Sequence, residues 1–316
     1  MNYIIGIDLG GTYIKAGAVS KEGELLYEAS SIPSLSDVNP NAVVGQIEKA
    51  VNEVKSKYKG DNLLGVGIGS PGLVDLDGGT VKYPPNFANW TVFRLGEETA
   101  KKIGGRVEVE NDANAAAVGE FRFGAGKGLK NFIMITLGTG VGGGFIIDGQ
   151  VFRGETGGAG ELGHISINYD GPHCKCGNRG CVEAYVGQKY LSHRVFEQLK
   201  THPDSLINKL IDGDESKLEP KVISQAADKG DKFALQVWKE TGMYIGVAVA
   251  AAFNLFDTAN LVVGGGVSKA GRALFDSIEE TIRERVLPPL RPRIRVAPAK
   301  LENSAGIIGA AALIAE

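Results

Sequence analysis

The sequence predicts an α/β fold in two domains, and three observations carry the prediction. Short apolar strands alternate with amphipathic helical stretches along the chain, the pattern of sheets flanked by helices. The 45 glycines among 316 residues follow no tripeptide period and collect at strand ends, where they mark tight turns rather than collagen or a slack linker. The opening strand–turn–strand pattern returns 128 positions later, setting Ile7-Asp8-Leu9-Gly10 against Ile135-Thr136-Leu137-Gly138. This length buries a sizeable core and is better divided between two domains than kept as one.

Taken in order, Tyr3–Asp8 and Tyr13–Val19 read as strands around Gly10-Gly11-Thr12, with residues 24–32 as a third. Val43, Val44, Ile47, Val51 and Val54 give residues 41–57 a helical period with an exposed Glu/Lys face. Residues 63–68 form an apolar strand ending in Gly69-Ser70-Pro71-Gly72, and residues 107–109 another. An Ala-rich helix starts at Asp112, where Asp112 and Asn114 suit a helix N-terminus. Residues 131–137 and 143–148 are strands around a second glycine run. A helical stretch over 225–256 is expected to break at Gly230 and Gly242. Strand 260–263, helix 269–286, strand 294–296 and helix 304–315 complete the chain, with Pro288-Pro289 and Pro292 stopping the long helix.

Composition narrows the function. Hydrophobic residues make up 43 % and charged residues 22 %, ordinary values for a soluble domain. A net charge of −3 supplies no basic field for nucleic acid or anionic lipid. The first residues enter a strand directly, with no signal-peptide pattern, and the apolar stretch 247–256 is short for a membrane span. A cytoplasmic enzyme is expected. All three cysteines lie between Cys174 and Cys181, which suits a metal site in a reducing compartment better than disulfides.

Three glycine turns suit a phosphate, because backbone N–H groups approach its oxygens closely where no Cβ intervenes. Gly10, Gly11 and Thr12 form the first, with Asp8 placed to orient a hydrated Mg²⁺ and Lys15 adding positive charge. A plain hairpin with an aspartate at its mouth would read the same way. Gly138, Thr139, Gly140, Gly142 and Gly143 form the second. Gly264, Gly265 and Gly266 form the third, at a strand-to-helix switch, where α/β proteins hold ligands. None is a Walker A or a dinucleotide fingerprint, yet together they favour a nucleotide. His164, Cys174, Cys176 and Cys181 offer three thiolates and an imidazole, a tetrahedral set for zinc. The competing reading is three buried free thiols. His173 adjoins Cys174 and would strain both, so His164 is the preferred fourth ligand. Four protein ligands close the site, which makes the zinc structural.

Asp8-x-Gly10-Gly11-Thr12-x-x-Lys15, Glu161-x-Gly163-His164 and Cys174-x-Cys176-Gly177-x-x-Gly180-Cys181-x-Glu183 together resemble the ROK family over nearly the whole chain. The resemblance implies a ribonuclease-H-like (actin-like ATPase) fold of two domains around a central cleft. The small domain is expected at residues 1–112 plus the C-terminal helix 303–316, and the large domain at 113–302, with hinges near 112 and 303. It implies ATP-dependent phosphorylation of a hexose, with Asp112 accepting the proton of the attacking hydroxyl. It also implies that Gly72, Asn111, Glu161, His164 and Glu183 bind the sugar. Asn86, in Pro85-Asn86-Phe87-Ala88-Asn89-Trp90, is similar to the corresponding segment of the family's glucokinases and turns the expectation toward glucose. Fructose and N-acylated amino sugars are the alternatives, since a single methyl or hydroxyl decides such pockets. The donor is left open between ATP, another nucleotide and polyphosphate, and a homodimer or higher homo-oligomer is expected. The family's DNA-binding repressors carry a helix-turn-helix before the first glycine turn, for which the residues ahead of Asp8 leave no room. An actin-type nucleotide-gated scaffold is disfavoured by the zinc ligands and the Asn111–Asp112 pair.

Overall fold

In the computed structural model, which describes residues 2–75, 77–85 and 87–315, the chain divides into two compact units. Met1–Lys130, Gly144–Gly160 and Ala299–Glu316 form the first, and Asn131–Gly143 with Glu161–Pro298 the second. Along the chain come β1 (Asn2–Leu9), β2 (Tyr13–Val19), β3 (Leu25–Glu28), β4 (Ile32–Pro33), α1 (Pro40–Lys57) and β5 (Asn62–Ser70). A small sheet of β6 (Leu73–Asp75), β7 (Thr80–Lys82) and β8 (Val92–Arg94) precedes α2 (Leu95–Ile103), β9 (Val107–Asn111) and α3 (Asp112–Phe123). Then follow β10 (Phe132–Leu137), β11 (Val141–Ile147), β12 (Gln150–Val151), α4 (Glu183–Val186), α5 (Gln188–Leu199) and α6 (Leu206–Ile211). The chain ends with α7 (Pro220–Asp228), α8 (Lys232–Phe256), β13 (Asn260–Gly264), α9 (Arg272–Arg285), β14 (Arg295–Pro298) and α10 (Ala305–Ala312).

The main sheet of the first unit has the order β3-β2-β1-β5-β9. β1 is antiparallel to β2 and parallel to β5, which is parallel to β9. Register sets Asp8 beside Gly69 and Ser70 beside Asn111. The C-terminal ends of the three parallel strands therefore lie at one edge, the usual ligand edge of such sheets. On one face α1 and α2 bury Val43, Ile47, Val51, Val54 and Leu95 against Ile5, Ile7 and Ile68. Helix α1 starts cleanly, because Pro40 has no N–H to satisfy and the Asn39 carboxamide oxygen accepts the Ala42 N–H at 3.0 Å.

On the other face α10 packs Ile307 and Ile308, and the turn after it Ile314, with Ile4 and Val19, each large side chain gaining roughly 1.5–3 kcal/mol from burial. The helix lies so close to β1 and β5 that a Cβ at Gly6 or Gly67 would fall on the carbonyls of Ile307 and Ala310. Helix α3 joins the same layer, with Gly119 against Gly309. Its Glu120 is fully buried, and its carboxylate accepts N–H groups from Ala125 (2.6 Å), Lys300 (3.1 Å) and Leu301 (2.8 Å).

This packing corrects the expected boundary. The first unit runs on through α3 to Lys130, takes in residues 144–160 and resumes at 299, because the Ala-rich faces of α3 and α10 need each other. Residue 112 lies inside that unit and is not where the chain leaves it.

In the second unit β10, β13 and β14 run parallel, with Ile135 beside Val263 and Leu261 beside Val296. Trp238, Phe253 and Phe132 are its largest fully buried side chains. The expected break at Gly242 does not occur. α8 is continuous from Lys232 to Phe256, and Gly242 is where α9 crosses, since a Cβ there would meet the Leu274 carbonyl and Ser277. Only Gly230, at φ +81°, interrupts the helical stretch. The single strand expected over 24–32 is two, β3 and β4, both pairing with β2. The second glycine run is itself strand from Val141 onward. Among the described residues no helix is long and apolar enough to cross a membrane.

Candidate active site and metal centre

In the first unit the strand ends place the site. Asp8 lies on β1 opposite Lys15 across the hairpin, and the Gly10 N–H closes the turn onto the Tyr13 carbonyl at 3.0 Å. Burial raises the Asp8 carboxyl above the ordinary carboxylate range, and Lys15 pulls it back. The Gly11 carbonyl accepts the hydroxyls of both Ser34 and Ser36, so two side chains fix the turn from behind while Thr12 stays exposed. The Ser36 carbonyl in turn accepts the Ala88 N–H at 2.8 Å, tying that support to the segment before Trp90. Asn86 lies outside the described residues. Trp90 is buried, donates its indole N–H to the Val81 carbonyl (3.2 Å) and packs edge-on against Phe87 and Phe93.

Asn111 ends β9 and caps α3. Its carboxamide oxygen accepts the N–H groups of Ala113 (3.0 Å) and Asn114 (3.2 Å), and its amide donates to the Gly72 carbonyl at 3.0 Å. Gly72 sits at φ +94° with the Pro84 and Lys82 backbone where a Cβ would stand, so the loop can bring its carbonyl there only as glycine. The cap is therefore Asn111. Asp112 is the first helical residue, exposed, with one carboxylate oxygen on the Ala113 N–H at 2.8 Å. An anionic side chain at this end of a helix is favoured by the peptide dipoles.

In the second unit two glycine turns are neighbours. Thr136 pairs with Gly264, and Gly265, at φ +85°, presses on the Leu137 backbone. Gly138–Gly140 and Gly264–Gly266 thus stand side by side at the C-terminal edge of β10 and β13, with Thr139 exposed. Glu183, at the start of α4, accepts the Val141 N–H at 2.9 Å, and a Cβ on Gly140 would strike the same carboxylate. The other Glu183 oxygen lies 3.9 Å from the Cys174 sulfur.

His164, Cys174, Cys176 and Cys181 converge, with one donor atom from each within 4.8 Å of the others. Cys176 Sγ and Cys181 Sγ are 3.7 Å apart, and His164 Nδ1 is 3.8 Å from Cys174 Sγ. Zn–S bonds near 2.3 Å in a tetrahedron require edges of about 3.7 Å, so the donors fit the ion. Burial, then the neighbouring thiols, pushes Cys181 up to about 12, and a divalent cation is what turns such thiols into thiolates. With Nδ1 on the knot, His164 Nε2 faces the half-exposed Glu161 carboxylate at 3.9 Å. Desolvation raises the Glu161 pKa, against the pull of His164.

Several supporting residues escaped sequence reasoning. Ser34 and Ser36 carry no motif. Glu110 and Arg153, whose side chains meet at 2.7 Å, lie 43 residues apart; the only available signal was a carboxylate directly before Asn111.

The chain matches the ROK family over residues 4–316 and belongs to it. It is 37 % identical to the glucokinase of Thermotoga maritima, over 99 % of this chain and 97 % of that one. A ROK family glucokinase from Streptomyces griseus, solved in complex with glucose and AMPPNP, superposes with a TM-score of 0.86 at 38 % identity, covering 98 % of both chains. The xylose repressor of Caldicellulosiruptor bescii is 31 % identical over 98 % of this chain and 77 % of its own length. The fold is the two-domain actin-like, ribonuclease-H-like fold of these sugar kinases.

Proposed function

We propose that this protein is a glucokinase that moves the γ-phosphoryl group of ATP to the 6-hydroxyl of glucose. The observation that carries the reading is the exposed Asp112 carboxylate at the start of α3, beside an Asn111 amide fixed to the Gly72 carbonyl. The likeness to glucokinases over the whole chain supports glucose and ATP as the substrates.

In the proposed chemistry Asp112 accepts the proton of the sugar hydroxyl as that oxygen bonds to the γ-phosphorus and the bond to the bridging oxygen of ADP breaks. Such transfers depend on position and charge neutralisation more than on a strong base. Asn111, Gly72, Asn86, Glu161, His164 and Glu183 are the proposed sugar contacts. Gly10–Thr12 with Lys15, and the turns 138–143 and 264–266, are the proposed phosphate cradle. Asp8 would hold a Mg²⁺ ion, which supplies neutralising charge to the phosphate oxygens when bound. His164, Cys174, Cys176 and Cys181 would hold a structural Zn²⁺, which fixes the loop presenting Glu161 and Glu183. An assay of ADP release over glucose, mannose, fructose and N-acetylated amino sugars, with ATP or polyphosphate as donor, is the test. The highest kcat/KM is expected for glucose with ATP; a clear preference for another sugar would reassign the substrate.

A further inference from the structure

Glu110 is 1 % exposed and precedes the proposed sugar-binding and catalytic pair. Its two oxygens serve different partners. Oε1 accepts the Asn111 backbone N–H at 2.9 Å and the Asn114 side-chain amide at 3.1 Å. Oε2 accepts Arg153 Nε at 2.7 Å, and the Arg153 side chain is only 30 % exposed. Among the described residues Asn114, itself 1 % exposed, has no partner for its carboxamide oxygen, and Glu110 sets the direction of that amide. Through Glu110 the three groups hold the Glu110–Asn111 peptide, the point where β9 hands over to α3. That peptide carries the Asn111 side chain to Gly72 and sets out the Asp112 carboxylate.

We infer that Glu110 and Arg153 are positioning residues, a largely buried ion pair that holds the Glu110–Asn111 peptide, and with it the Asn111–Asp112 pair, in the orientation phosphoryl transfer requires. A buried ion pair is a poor source of stability, since its desolvation offsets the attraction and apolar replacements often do as well. What it supplies is direction. The guanidinium fixes one carboxylate oxygen, and the planar carboxylate then fixes where the other lies. No neutral side chain reproduces this. A glutamine at 110 presents one acceptor and one donor, so it meets either Arg153 or the Asn111 and Asn114 donors with the wrong group.

The inference rests on the glucokinase reading, and the experiment separates the two. Wild type, Glu110→Gln, Arg153→Met, Arg153→Lys and the double variant Glu110→Gln/Arg153→Met are compared for Tm, kcat, and KM for glucose and for ATP. Each single neutral variant is expected to lower kcat and raise the glucose KM by about tenfold, in line with the steep dependence of rate on sub-ångström placement. The ATP KM should stay at the wild-type value. Arg153→Lys keeps the charge without the fork and should fall between wild type and Arg153→Met. The double variant removes both charges, so Tm should recover while kcat and the glucose KM stay impaired. Recovery of both in the double variant would make the pair structural and overturn the inference, as would folded single variants with wild-type kinetics. If a single variant fails to fold, Arg153→Lys and the double variant decide by the same criteria. A wild-type protein that does not phosphorylate glucose fails the functional reading instead.

Discussion

The turn at residues 10–12 and the turn at residues 138–140 close comparable hairpins, each beside a strand with a parallel neighbour, β5 in one case and β13 in the other. At the matching position the first carries Asp8 and the second Thr136. The first turn is braced by two serine hydroxyls on one carbonyl, from 23 and 25 residues further along the chain. The second is braced by Glu183, which accepts the Val141 N–H and lies against Cys174 of the metal knot, and by the Gly265 backbone. One repeated frame has thus been given two duties. The first hairpin carries a carboxylate, proposed to hold a cation, and the second is uncharged at that position and leans on the loop of the proposed zinc site.

The largest effect should come from the reactive charge of the first unit. Asp112→Asn removes the proposed proton acceptor and keeps the shape, so kcat should fall by roughly 100-fold or more while glucose binding by calorimetry stays near wild type. Turnover close to wild type at saturating substrates would remove Asp112 from the chemistry.

Next comes the dependence of the second unit on its proposed metal. The purified protein should contain about one zinc per chain, and chelation should lower Tm by roughly 5 °C or more and expose three titratable thiols. An active, metal-free protein with freely reacting cysteines would break the contrast between the two braces.

A paired substitution sharpens the contrast. Glu183→Gln should raise the KM for both glucose and ATP several-fold, because it loosens the brace of the second turn as well as a proposed sugar contact. Ser36→Ala removes one of two hydroxyls on Gly11 and should cost about 1 kcal/mol of stability, with little change in either KM. Equal kinetic effects from the two would mean that the braces are interchangeable.

The smallest effect concerns pH. Burial raises the Asp8 pKa in the folded chain, so between the ordinary carboxylate range and that raised value the folded state binds more protons than the unfolded one. Stability from this group therefore declines as pH rises through that window. Asp8→Asn should raise Tm by roughly 2 °C at neutral pH, a gain that vanishes in acid. A variant no more stable than wild type at neutral pH would show that Lys15 fully offsets the burial.

Much of this was legible in the sequence, and the failures share a cause. The opening hairpin, α1 and the cluster of His164 with the three cysteines were visible because each rests on local spacing: a period of two or 3.6, a glycine turn, or candidate ligands close in sequence; the Asn111–Asp112 pair was marked by the resemblance to the ROK family. The domain boundary, the uninterrupted α8 at Gly242, and the supports Ser34, Ser36, Glu110 and Arg153 were not. Each is decided by a partner far along the chain, such as α10 for α3 or α9 for Gly242. Glycine in particular is ambiguous in one dimension, where a helix breaker and a seat for a crossing helix look alike. Asp112 was expected near the helix start, but Asn111 took the cap because its amide also reaches Gly72.

Glu120 gives the fold an unusual answer to being cut. Among the described residues its buried carboxyl group is met by three backbone N–H groups, two of them from Lys300 and Leu301. A fragment ending at Pro298 would keep the acid and lose both of those donors, stranding a charge in the layer that α10 should have sealed. The earlier part of the first unit is therefore incomplete by itself. Without residues 299–316 it is left with an open face and a thirsty carboxylate.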